Sequence, residues 1–131
     1  MTVIFKYRRE QSGILRPVAD IVLKTAVGAT GVALYIDSGA DISMVPRQTG
    51  EALGFQEGKG KIQEMKGIAG EGVPFIEIIV NAVLGGEVEV AIPIAWALIE
   101  GVPPLLGRKG IFDKFKIVFD EAEETVEFHK K

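Results

Sequence analysis

The sequence predicts an all-β chain with one or two short helices, and three observations carry that expectation. From Glu87 to Ile94 the pattern alternates strictly, with Val88, Val90, Ile92 and Ile94 on one side, the period of a half-buried strand. Short apolar, β-branched runs recur along the chain and are broken by turn signals such as Gly28 to Gly31 and Gly85-Gly86. Helix punctuation is sparse, the clearest case being Pro46 followed by Gly54. Such a pattern suits a barrel or a sandwich. The 131 residues, with no linker, repeat or low-complexity tract, are expected to form one domain spanning 1–131.

The elements follow in order. Thr2 to Tyr7 reads as a first strand, and Ser12-Gly13 as a polar link. Val18 to Val27 is apolar and β-branched and ends at the Gly28 turn. Val32 to Ile36 is a continuous apolar strand, expected to be covered on both faces. A short helix should run from Pro46 to about Leu53. Ile62 to Ile68 and Val73 to Val80 flank the tip Ala69-Gly70-Glu71-Gly72 and read as a long hairpin. Gly85-Gly86 reads as a two-residue turn that needs positive φ. Lys109 to Phe115 suggests a second short helix, and Lys116 to Phe119 with Thr125 to Phe128 a last hairpin. Trp96 reads as core, and His129 as part of a polar tail.

Composition narrows the function classes. An apolar fraction of 47% with 25% charged residues is that of an ordinary globular chain, not of a disordered one. A net charge of −3 argues against a nucleic-acid binder held by phosphate contacts. The absence of cysteine removes disulfides, thiolate nucleophiles and cysteine-based zinc sites together. The opening MTVIFKYRREQS lacks a signal-peptide pattern, and no apolar run reaches membrane-spanning length. The expectation is a soluble cytoplasmic protein with no membrane or nucleic-acid partner, no cofactor and no metal.

Against this background, Leu34 to Pro46, LYIDSGADISMVP, poses a question. Asp37 ends an apolar run, yet burying an unpaired carboxylate costs several kcal/mol, on the order of 2–7 even for a neutral polar group. Three chemistries place an Asp there. An aspartyl-phosphate nucleophile usually has a second acid two positions on, where this chain has Gly39, and it sits on an α/β sheet. An actin-like phosphate loop needs a far longer chain. An aspartic protease uses Asp-Ser/Thr-Gly in a tight loop between strands: the carboxylate activates water, the hydroxyl locks the loop, and the glycine admits close neighbours. A plain polar turn remains open on the tripeptide alone, since Asp, Ser and Gly are common turn residues.

The wider sequence resembles the retroviral-type, or retropepsin-like, aspartic proteases from about Val18 to Phe115. LYIDSGADISMV is similar to the family's catalytic loop, KGIAGEGVPF to its glycine-tipped flap, and PPLLGRKGIFDKF to the apolar-Gly-Arg segment that leads into its C-terminal helix. The resemblance implies a retropepsin-like closed barrel, an acid-protease half, with a flap hairpin and a homodimeric assembly. It implies Asp37 as the catalytic carboxylate, with Ser38, Gly39, Ala40, Asp41 and Arg108 supporting the loop. In particular, Asp41 and Arg108 would form a bracing ion pair, for which a bidentate guanidinium is well suited. Ile68, Ala69, Gly70, Glu71 and Gly72 would form the flap over a peptide or unfolded polypeptide. The terminal strands would contribute to a dimer sheet.

The chemistry needs two carboxylates sharing a proton, one as base and one as acid; aspartic proteases are the standard example of such a split pair. This chain has one Asp-Ser-Gly; Asp20, Asp113 and Asp120 lie in other contexts. A second copy related by a two-fold axis at Asp37 would supply the other. Two rivals remain at this stage: a non-catalytic peptide-binding or dimerisation module on the same fold, and an unrelated small β-barrel in which Asp37 marks a turn.

Overall fold

A computed structural model describes residues 1–66 and 72–131. Its strands are β1 (Thr2–Lys6), β2 (Arg8–Arg9), β3 (Leu15–Arg16), β4 (Val18–Lys24), β5 (Ala29–Ile36), β6 (Ser43–Val45), β7 (Ile62–Lys66), β8 (Gly72–Leu84), β9 (Val88–Ala97), β10 (Leu105–Leu106), β11 (Phe115–Asp120) and β12 (Thr125–Lys130). One α-helix, α1 (Arg47–Ala52), follows Pro46 as the sequence suggests.

The largest sheet runs β4-β5-β10-β6-β9-β8-β7. It closes because β8 is long. The first half of β8 pairs with β7, and its last residues, Asn81 to Leu84, pair with Lys24 to Ile21 of β4. Six strands, β4-β5-β10-β6-β9-β8, thus form a closed barrel. Closure removes the exposed edges that an open sheet would present. Inside lie the alternating residues of β9, with Val88, Val90, Ile92 and Ile94 all buried. They meet Ala19, Ile21 and Leu23 of β4 in one core. Trp96 is also buried, and its Nε1–H donates to the Arg47 carbonyl at 3.0 Å, which ties α1 to the barrel.

A second, three-stranded sheet has the order β1-β12-β11 and is built from both chain ends. Phe128 stands at its centre, edge-on to Phe5 at 5.3 Å and to Phe115 at 5.8 Å. Val3, Phe115, Val126 and Phe128 belong to the same core as the barrel residues. The Tyr7 hydroxyl donates to Glu121 at 2.7 Å, and loss of solvation together with that carboxylate pushes its pKa to about 12.

Three expectations need correction. Lys109 to Phe115 is not a helix: Lys109 to Lys114 form a run of turns, and Phe115 begins β11. Gly110 takes φ +80°, which no α-helical residue adopts, so the first turn cannot propagate. Val32 to Ile36 is not covered on both faces, because Leu34 and Ile36 are buried while Ala33 is exposed and Val32 and Tyr35 are half-buried. The strand is one wall of a barrel, with one face turned to the core. The β8–β9 connection opposes Leu84 to Val88, so three residues rather than two make the loop, although Gly85 and Gly86 both take positive φ.

Candidate active site

β5 delivers Asp37 from the core to the surface. Leu34 and Ile36 anchor its end, and the chain then turns through Ser38 and Gly39 into β6. Asp37 is half-buried, as a carboxylate that must meet water requires. Its Oδ1 accepts the Gly39 N–H at 2.9 Å, and its carbonyl accepts the Ala40 N–H at 3.2 Å. These local bonds set the shape of the loop.

The support comes from far along the chain. β10 inserts between β5, to which it is parallel, and β6, to which it is antiparallel. The Asp37 N–H donates to the Leu106 carbonyl at 3.0 Å. The Arg108 N–H reaches the Ala40 carbonyl, and the Lys109 N–H the Asp41 carbonyl, both at 2.9 Å. Between them the Gly107 N–H donates to Ser43 Oγ at 2.9 Å. Ser43 is fully buried, and a buried hydroxyl needs such a partner. Gly107 is the point of closest approach: a Cβ there would lie 2.4 Å from the Ile42 carbonyl carbon and 2.8 Å from the Ser43 nitrogen. Only glycine fits, because the neighbouring atoms are backbone and cannot move aside.

The expected Asp41–Arg108 ion pair is not made in this single chain. Both side chains are exposed, and neither forms a salt bridge among the described residues. The two segments are joined by their backbones instead; an exposed pair would add only about 0–1 kcal/mol to those bonds. Ser38 is exposed and makes no side-chain hydrogen bond among the described residues. Of the flap residues, Ile68, Ala69, Gly70 and Glu71 lie outside the described residues. Gly72 begins β8, opposite Lys66. Below it, Met65 and Val73 pack on a small cluster of Ile42, Met44, Phe75, Ala95 and Ala97, so the base of this hairpin rests on the strand that follows the Asp37 loop.

Asp37 lines a cleft of about 430 Å³. Tyr35 and Ile36 of β5, with Pro103 and Leu105, make its apolar side. Glu10, Arg16 and Pro17 make the other, where Arg16 Nε donates to Glu10 Oε1 at 3.1 Å. The Glu10 carboxylate beside the Tyr35 hydroxyl raises that phenol's pKa, with a further contribution from loss of solvation. The sequence reading did not assign Ser43, Gly107, Tyr35, Glu10 or Arg16 to the site. Gly107 sits in a segment the reading did single out, and Ser43 is the one polar residue in the apolar run Ile42 to Val45. Glu10 and Arg16 carry no such signal, since only the fold brings the β2–β3 hairpin to Asp37.

No family model matches the chain and no curated protein matches it significantly. Solved structures do match. A retropepsin-like aspartic protease from Rickettsia conorii superposes with a TM-score of 0.70 at 18% identity, covering 97% of this chain and 98% of that one. EIAV protease, complexed with the inhibitor HBY-793, gives a TM-score of 0.54 at 21% identity, covering 71% of this chain and 82% of that one. Closed barrel, inserted β10, Asp-Ser-Gly loop and these superpositions agree: the chain has the retropepsin-like fold.

Proposed function

We propose that this chain is an aspartic endopeptidase that acts as a homodimer, with one Asp37 from each copy in a single site. One observation carries the proposal: a half-buried Asp leaves a barrel strand in a loop held by backbone bonds from Leu106 to Lys109, on the wall of an open cleft, in a chain of retropepsin-like fold. A turn with no task would not need support from a segment so distant in sequence.

In this reading a water lies between two Asp37 carboxylates that share one proton. The ionised carboxylate takes a proton from the water as its oxygen bonds to the peptide carbonyl carbon. The protonated carboxyl gives its proton to the carbonyl oxygen. The tetrahedral product collapses when the carbon–nitrogen bond breaks, the proton held by the first carboxyl passes to the leaving amine, and one hydroxyl of the intermediate returns its proton to the second carboxylate as the carbonyl re-forms. Gly39 N–H, already on Oδ1, orients each carboxylate. Ser38, exposed beside it, is assigned to bonds between the two loops. An extended peptide or unfolded polypeptide would lie along the cleft by strand addition.

The test is hydrolysis of a denatured protein substrate by the wild type and by Asp37→Asn. The variant keeps the shape of the side chain and loses its acid–base function. It should fold, dimerise and lose at least about a hundredfold in turnover. Full activity in the variant would refute the assignment. A wild type that dimerises and binds peptides without cutting them would establish the binding-module alternative.

A further inference from the structure

Arg8 and Arg16 stand directly opposite each other in the β2–β3 hairpin. Like charges across a strand pair destabilise it, on the order of 0.2–1 kcal/mol. A hairpin with two residues in each strand has little to set against that cost. Each arginine is neutralised instead by an acid outside the pair, Arg8 by Asp20 of β4 and Arg16 by Glu10, the residue after β2.

The two ion pairs differ in place. Arg8–Asp20 is a surface contact, with side-chain exposures of 47% and 66%. The Glu10 side chain is only 29% exposed, and both Glu10 and Arg16 line the Asp37 cleft. Glu10 is held by several groups. Arg16 Nε donates to its Oε1 at 3.1 Å and Ser12 Oγ to its Oε2 at 3.3 Å. The Tyr35 hydroxyl of β5 faces the same carboxylate, which raises the phenol's pKa. Glu10 and Tyr35 also line a neighbouring cavity of about 210 Å³, so they stand at the partition between the two.

Three charged side chains thus border the cleft, Glu10, Arg16 and Asp37, and its other walls are largely apolar. Freed from Glu10, the Arg16 guanidinium could clasp a carboxylate of the substrate with two parallel N–H bonds. That carboxylate would then share a cleft with Asp37, where like charges oppose each other. With Glu10 in place Arg16 is engaged, and an entering side chain meets two acids and one base.

We propose that Glu10 is a specificity-determining residue: by engaging Arg16 it excludes acidic side chains from the cleft and leaves it to apolar and basic ones. This rests on the peptidase reading above and narrows the substrate class of that same site to polypeptide segments with no Asp or Glu at the position that enters the cleft. Selectivity of this kind comes from a repulsive element as much as from an attractive one.

The experiment compares kcat/KM for pairs of peptides that differ only by Gln or Glu at one position, taken in turn along about four residues on each side of the scissile bond. The enzymes are the wild type, Glu10→Gln, Arg16→Gln and the double variant. The wild type should prefer Gln over Glu at the position that enters the cleft. Glu10→Gln should lower that preference about fivefold, the scale of a part-exposed ion contact. Arg16→Gln should raise it, and the double variant should return close to the wild type. A displaced hairpin slows both members of a pair together, so the ratio separates selectivity from folding. A ratio that Glu10→Gln leaves unchanged at every position, or that Arg16→Gln moves in the same direction as Glu10→Gln, overturns the role of Glu10 and leaves the peptidase standing. A wild type that cuts no peptide overturns the peptidase reading instead. The Gln-to-Glu ratio is then taken from peptide affinities by fluorescence anisotropy and decides the role of Glu10 by the same outcomes; absence of binding as well overturns both.

Discussion

The loop after β5 and the turn between β8 and β9 draw on similar small and polar residues, yet they are held in opposite ways. The turn is self-sufficient: Gly85 and Gly86 take φ of +60° and +72°, and the Glu87 N–H closes onto the Leu84 carbonyl at 3.2 Å. The Asp37 loop has a local bond of its own, but its backbone is also fastened at Asp37, Ala40 and Asp41 by Leu106, Arg108 and Lys109. Reversing a chain requires only the right φ. Holding a carboxylate at the end of a barrel strand requires support from neighbouring strands, and β10, tied to β6 through the Gly107–Ser43 bond, supplies it. Substitutions in the two regions should therefore differ in kind.

The largest effect is expected from Gly107→Ala. Its Cβ would collide with the backbone of Ile42 and Ser43, so β6 or β10 must shift. Urea unfolding should show a loss of about 3 kcal/mol, the upper end for overpacking, and peptidase activity should fall further than stability explains. Ser43→Ala comes next, because it leaves the buried Gly107 N–H without an acceptor. A loss of about 2 kcal/mol is expected, again with reduced activity. Gly86→Ala should cost about 1 kcal/mol through its positive φ alone, since nothing lies within 4 Å of the new Cβ, and specific activity should be unchanged. An equal loss of specific activity in Gly86→Ala would erase the distinction between supported loop and free turn. Smallest is Arg108→Ala in the isolated chain. With its side chain exposed and in no salt bridge among the described residues, stability should move by less than about 0.5 kcal/mol, because the bond it makes to Ala40 is a backbone one. A drop of several times that would show that the side chain braces the loop after all.

What could be read from the sequence follows the range of the interactions. Alternation from Val88 to Ile94 and the Pro46 and Gly54 punctuation report local physics, and β9 and α1 lie where those signals put them. Asp37 was visible because a carboxylate is unusual at the end of an apolar run, and the LLGR segment because of the resemblance. Closure of the barrel came only with the resemblance, since no local pattern shows β8 continuing past Val80 to reach β4, more than fifty residues away in the chain. Lys109 to Phe115 misled because its apolar spacing suits a helix while Gly110 enforces a turn. The Glu10–Arg16 wall of the cleft depends on where the fold places the short β2–β3 hairpin, which no local pattern encodes. The Asp41–Arg108 pairing was implied by the resemblance, and backbone bonds join the two segments within the single chain.

The central claim is that one site contains two copies of Asp37, and a mixing experiment tests it most directly. Wild-type and Asp37→Asn chains are combined in equal amounts, allowed to exchange, and assayed for peptide hydrolysis per total dimer. If both carboxylates are required, only doubly wild-type pairs cut, so random pairing leaves about a quarter of full activity, falling quadratically as the mutant fraction rises. A linear fall, with about half the activity left at equal amounts, would show that each chain carries its own site and would contradict the composite dyad.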